Sequence, residues 1–140
     1  MDVQEIKKLD GYLKGLFGNP RIRVVPKTAK SADVHVGEER VGGLVVDDED
    51  GERSYNFEIK ITMGEGADIK NLKTLEAYLR RKFDSERIRV VPRIKKTDSA
   101  EVYIGDEYIG VLFFDEKETH SCFFEMAILG LDLEEPPRPH

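Results

Sequence analysis

The sequence holds one cysteine, Cys122, and three histidines, His35, His120 and His140, in 140 residues. A lone thiol excludes an internal disulfide framework, and three scattered imidazoles do not make a metal-ligand set. No apolar run approaches the length of a membrane-spanning helix. Bases are also in deficit: 22 Lys and Arg against 28 Asp and Glu leave a formal charge of −6. That balance disfavours a general polyanion or membrane-surface binder. The opening Met1-Asp2-Val3-Gln4-Glu5 lacks a signal-peptide pattern, so a cytoplasmic location is expected. What is there, 39% hydrophobic and 36% charged residues, suits a globular fold on the charged side of ordinary.

The chain is one unit written twice. Arg-Ile-Arg-Val-Val-Pro occurs at Arg21 to Pro26 and again at Arg87 to Pro92. Ahead of the first copy, Asp2 and Glu5 fit a capping box opening a helix. Ile6, Leu9, Leu13, Leu16 and Phe17 then recur at helical spacing, and Gly18, Asn19 and Pro20 stop it. Ahead of the second copy, Asp68 is a plausible N-cap, and Ile69, Leu72, Leu75, Leu79 and Phe83 rebuild the stripe.

Each hexamer begins a strand, expected to end at its proline. Ala32, Val34 and Val36 alternate with polar residues, Val41–Val46 follows a short turn, and Tyr55, Phe57, Ile59 and Ile61 alternate most cleanly. In the second half Ala100-Glu101-Val102-Tyr103-Ile104-Gly105 answers Ala32 to Gly37, Ile109 to Leu112 answers Val41 to Leu44, and Phe124 to Ile128 answers Phe57 to Ile61. Register slips by two residues in the first loop and returns by one in the last turn, where insertions are tolerated. Short links make each half an antiparallel meander. The fold expected is α+β: two tandem repeats, each one helix on a four-stranded antiparallel meander sheet, arranged as a pseudo-twofold pair. Residues 1–62 and 69–133 are the repeats, 63–68 a linker, and 134–140 a disordered tail.

Asp98 to Phe113 (Asp-Ser-Ala-Glu-Val-Tyr-Ile-Gly-Asp-Glu-Tyr-Ile-Gly-Val-Leu-Phe) and Ser54-Tyr55-Asn56-Phe57 resemble a family of small alphaproteobacterial proteins catalogued as a domain of unknown function. The likeness covers nearly the whole chain outside linker and tail. It implies a domain about one repeat long, here duplicated, and no activity. The first copy departs at His35, Arg40 and Gly43, where the second has Tyr103, Tyr108 and Val111. The second departs at Ser121-Cys122-Phe123-Phe124.

No catalytic, metal-binding or cofactor-binding residue is expected. Cys122 lies two residues after His120, a spacing open to a nucleophilic pair, but its parity with Phe124 and Met126 is that of the core. The run Asp47-Asp48-Glu49-Asp50-Gly51-Glu52 fails as a calcium loop, because Gly51 at the sixth position puts Val46 and Phe57 where ligands belong. Gly42, Gly43 and Gly110 lie inside strands, where a bulge or close packing explains them better than a phosphate loop.

Two surfaces stand out. Arg80, Arg81, Lys82, Arg87, Arg89, Arg93, Lys95 and Lys96 form a basic cluster able to hold phosphates. Ile109, Val111 and Phe113 share one parity, and Leu112 and Phe114 the other, so this strand reads as apolar on both sides. Leu112, Phe114 and Phe123 are therefore expected to form a second apolar face requiring a cover. The expected function is a non-enzymatic protein-interaction module, its partner another protein or a second copy. The alternative is nucleic-acid or phosphate-ligand binding through the basic cluster.

Overall fold

Asp2 accepts a hydrogen bond from the Glu5 N–H at 2.8 Å, and Glu5 accepts one from the Asp2 N–H at 3.1 Å. This reciprocal cap opens helix α1 (Val3–Phe17), which Gly18 closes in the left-handed region at φ 63°. The computed structural model describes residues 1–48, 51–63, 70–114 and 120–134. After α1 come β1 (Ile22–Thr28), β2 (Ser31–Val36), β3 (Glu39–Asp47) and β4 (Ser54–Thr62). Helix α2 (Leu72–Phe83) is followed by β5 (Ile88–Arg93), β6 (Lys96–Ile104), β7 (Glu107–Phe114) and β8 (Ser121–Leu129). One helix plus four antiparallel strands thus occurs twice, as the repeat predicts. The hydrogen-bonded strand order is β1-β2-β3-β4 in the first repeat and β8-β7-β6-β5 in the second. No helix among the described residues is long and apolar enough to cross a membrane.

Boundaries differ from expectation at several points. Asn71, not Asp68, caps α2, accepting from the Thr74 N–H at 3.2 Å, so α2 starts one turn later than α1 relative to the hexamers. The expected start at Asp68 and Ile69, and the linker from residue 64 on, lie outside the described residues. Strand β1 runs through Pro26 to Thr28 rather than ending at the proline, because an outermost strand needs no outward donor there. Glu134, expected in the tail, belongs to a short helix α3 (Gly130–Glu134) and pairs with Lys8 at 2.7 Å; residues 135–140 lie outside the described residues.

The chain divides into two compact units, Met1–Phe57 with the chain from Ala127 onward, and Glu58–Met126. In the first, Leu9, Leu13, Leu16 and Phe17 turn the buried stripe of α1 onto β1. Ile22, Val34, Leu44 and Phe57 lie beneath it, each 0% exposed. In the second, Leu75, Leu79 and Phe83 of α2 cover Ile88, Val102, Leu112 and Phe124 in the same way. Each fully buried leucine or phenylalanine contributes about 1.5–3 kcal/mol of transfer free energy.

Both units treat their outermost strand alike. The Val24 N–H donates to Asp10 Oδ1 at 3.0 Å, and the Val90 N–H donates to Glu76 Oε2, also at 3.0 Å. Each acid pairs one turn on with a base of its own helix, Lys14 or Arg80. A helix carboxylate thereby occupies an edge donor that would otherwise template strand addition from another chain.

Candidate functional site

The geometry of the site starts from a one-residue irregularity. In the first unit Val34 pairs with Gly42 but His35 pairs with Arg40, leaving Val41 extra. In the second Val102 pairs with Gly110 but Tyr103 pairs with Tyr108, leaving Ile109 extra. Such a bulge shifts side-chain parity by one. Ile109 and Leu112 are consequently both buried, at 8% and 0% exposure, although they are an odd number of residues apart. Gly110 sits at the bulge because a Cβ there would lie 2.4 Å from the Glu125 carbonyl oxygen.

The expected face of Leu112, Phe114 and Phe123 is corrected by this register. Leu112 pairs with Phe124, and Phe114 with Cys122, on the buried side. Phe123 pairs instead with Phe113 on the opposite, solvent-facing side. Strand β7 is apolar on both sides from Val111 to Phe114, but Val111 and Phe113, not Leu112 and Phe114, face outward. Its outer residues are Tyr108, Val111 and Phe113, with Tyr108 50% and Phe113 40% exposed.

Around these residues the outer face of the second unit is aromatic. Tyr103 and Tyr108 meet edge to face with ring centroids 5.8 Å apart. The Arg89 guanidinium lies 5.3 Å from the Tyr103 ring centroid, and the Lys60 ammonium 5.9 Å from that of Phe123. Each such contact is worth about 0.5–1 kcal/mol at an exposed site. The next register row carries Glu101, Val111 and Glu125 side by side on β6, β7 and β8. Tyr103 donates to Glu101 at 3.2 Å, and burial together with that carboxylate pushes the Tyr103 phenol up, so it stays neutral.

The matching positions of the first unit are His35, Arg40, Gly43, Val45 and Asn56, in place of Tyr103, Tyr108, Val111, Phe113 and Phe123. Arg40 pairs with Asp33 at 2.9 Å, and His35 Nδ1 is buried without a hydrogen-bond partner among the described residues. On the buried side many positions are identical: Ile22 and Ile88, Val24 and Val90, Ala32 and Ala100, Leu44 and Leu112, Phe57 and Phe124. Most exchanges there stay apolar, as Val36 to Ile104 and Ile59 to Met126, with Tyr55 to Cys122 the largest. The polar-to-aromatic exchanges between the copies, His35 to Tyr103, Arg40 to Tyr108 and Asn56 to Phe123, lie on the solvent-facing side. Aligning the hexamers finds all five outer exchanges in the sequence, but assigning them one face requires the bulge.

The eight bases of the expected cluster do not form one surface. Arg80 is used within the unit, donating to the Ile88 carbonyl at 2.8 Å and pairing with Glu76. Arg81 and Lys82 flank the Tyr78 ring on the helix, at 5.7 and 5.5 Å. Arg87 crosses Gly105, Arg89 stacks on Tyr103, and Arg93 donates to Ser99 at 3.0 Å. Lys95 occupies the turn between β5 and β6 at φ 64°, with Lys96 opening the next strand.

His120 is exposed where β8 begins, whereas Cys122 is 0% exposed. Burial pushes the Cys122 thiol up to about 12, far from a thiolate at neutral pH. Its counterpart Tyr55 is also buried, but its hydroxyl donates to Glu5 at 2.6 Å. Burial raises Glu5, yet hydrogen bonds from Tyr55, the Asp2 backbone and Arg53 outweigh it and hold that carboxyl below its usual range.

The buried thiol makes a direct prediction. A thiol reagent should modify Cys122 in the native protein roughly a thousandfold or more slowly than in denaturant, since reaction waits on opening. The pH dependence follows in sign: a thiol raised when folded contributes stability that is complete below its unfolded value and is lost as pH climbs toward 12. Denaturation at rising alkaline pH should show a slope, at most about 1.4 kcal/mol per pH unit, that Cys122→Ala removes.

Comparison with curated proteins and with solved structures returns no match. The family described as Protein of unknown function (DUF3126) matches residues 5–63 and again residues 71–132. With both repeats matched, the chain belongs to the DUF3126 family and carries its domain twice.

Proposed function

We propose that the chain is a non-enzymatic protein-interaction module that binds through the outer face of its second repeat. The observation that carries this reading is the solvent-facing Phe113–Phe123 pair, Phe113 exposed and Phe123 half-buried, flanked by Tyr103, Tyr108 and Val111. Nothing in the packing of the second unit calls for these side chains, since the first unit builds the same fold with Val45, Asn56, His35, Arg40 and Gly43. Clustered surface aromatics are the side chains that dominate protein interfaces. Glu101 and Glu125 lie among them and offset Arg89 and Lys60. A mixed-sign aromatic surface suits a polypeptide better than a phosphate backbone, which would demand net positive charge.

Two matched variants test the reading. Phe113→Asp should leave the fold intact, because the position is 40% exposed, while removing the protein partners that the wild type retains on an affinity column. Val45→Asp, at the corresponding position and 44% exposed, should leave both fold and retention unchanged. Equal loss in both variants, or none in Phe113→Asp, would refute the assignment. Salt-sensitive retention on a polynucleotide column would favour the basic residues instead.

A further inference from the structure

We infer that a partner of this aromatic face is a second copy of the same chain, an inference that rests on the reading above. The argument is the placement of charge across the strands. On the outer face of the second unit, Arg89 lies on β5 and Glu125 on β8, with the apolar and aromatic residues of β6 and β7 between them. A second copy turned over about an axis running along the strands, between β6 and β7, lays β5 of each copy above β8 of the other. Arg89 then faces the partner copy's carboxylate at Glu125, twice, as a twofold interface requires. Tyr103 of one copy then lies over Tyr108 of the other, in the same register row of the facing strand.

The alternative axis, across the strands, stacks each strand on itself and sets Glu101 against Glu101 and Glu125 against Glu125. Like charges brought face to face oppose association. The positions are one register row apart along the strand, about 7 Å, a gap that an arginine side chain spans. Edge-to-edge pairing is disfavoured, because Asp10 and Glu76 already hold edge donors of β1 and β5. The face is thus the route left open.

Sedimentation of the full chain at rising concentration tests this with four variants: Arg89→Glu, Glu125→Arg, both together, and Phe113→Asp. Wild type should shift toward twice the chain mass. Each single charge reversal should weaken association by roughly tenfold or more, the double reversal should restore it to within a few-fold, and Phe113→Asp should stay monomeric. Circular dichroism of each sample separates lost association from lost fold, and the double reversal guards against a variant that merely misfolds. A wild type that stays monomeric while Phe113→Asp still abolishes retention of other proteins would overturn the second copy and leave the interaction reading standing. A dimer that Phe113→Asp leaves intact would overturn both. Dimerisation without rescue by the double reversal would overturn the proposed pairing of copies.

Discussion

Replacing Leu79 by alanine is expected to lower the unfolding free energy by about 2–5 kcal/mol, and Leu13→Ala by a similar amount. Leu13 is 0% exposed and Leu79 2%, and each stands at the matching turn of the buried stripe of α1 or α2. Truncation removes transfer free energy and leaves a void that the surrounding strands fill only in part. Chemical denaturation measures it, with an unchanged denaturant slope showing that the native state stays compact. A cost below about 1 kcal/mol at both positions would mean that the helices do not cover their strands.

Gly110→Ala is the second large effect. The new Cβ would lie 2.4 Å from the Glu125 carbonyl oxygen and 2.9 Å from the Phe124 ring, so backbone as well as a buried ring must move. Overpacking of this kind costs about 1–3 kcal/mol or more. Gly43→Ala provides the contrast. Its nearest neighbour would be the end of the Arg40 side chain at 3.1 Å, which can swing away, so the expected change is within about 0.5 kcal/mol. Comparable losses at the two glycines would mean that the bulge packing described for β7 and β8 is wrong.

Much of the fold is legible because it is written in local periodicity. The spacing of Leu9, Leu13 and Phe17 is helical and that of Phe57, Ile59 and Ile61 is strand-like. The doubled hexamer then tells that both halves share one plan. What escaped depends on contacts rather than spacing. Whether Asp68 or Asn71 caps α2 is decided by where the helix meets its sheet, since both are good caps. Helix α3 carries no buried residue and so leaves no apolar stripe to read. The outer face was half legible: Phe123 is on it, but Leu112 and Phe114 are not, and Phe113 and Tyr108 are. Strict alternation cannot reveal that one residue, Ile109, is extra. A bulge is set by pairing with the neighbouring strand, here Val102 and Tyr103 against Gly110 and Tyr108.

The central claim is that the two copies share a core and differ in one working face. Transferring the first copy's face onto the second addresses it most directly: Tyr103→His, Tyr108→Arg, Val111→Gly, Phe113→Val and Phe123→Asn in one chain. These substitutions leave Leu112, Phe124, Cys122 and the α2 stripe untouched. Association and partner retention, measured beside thermal unfolding of the same sample, should both disappear while a single cooperative transition remains. A chain that still binds as the wild type does, or one that no longer folds, would contradict the account.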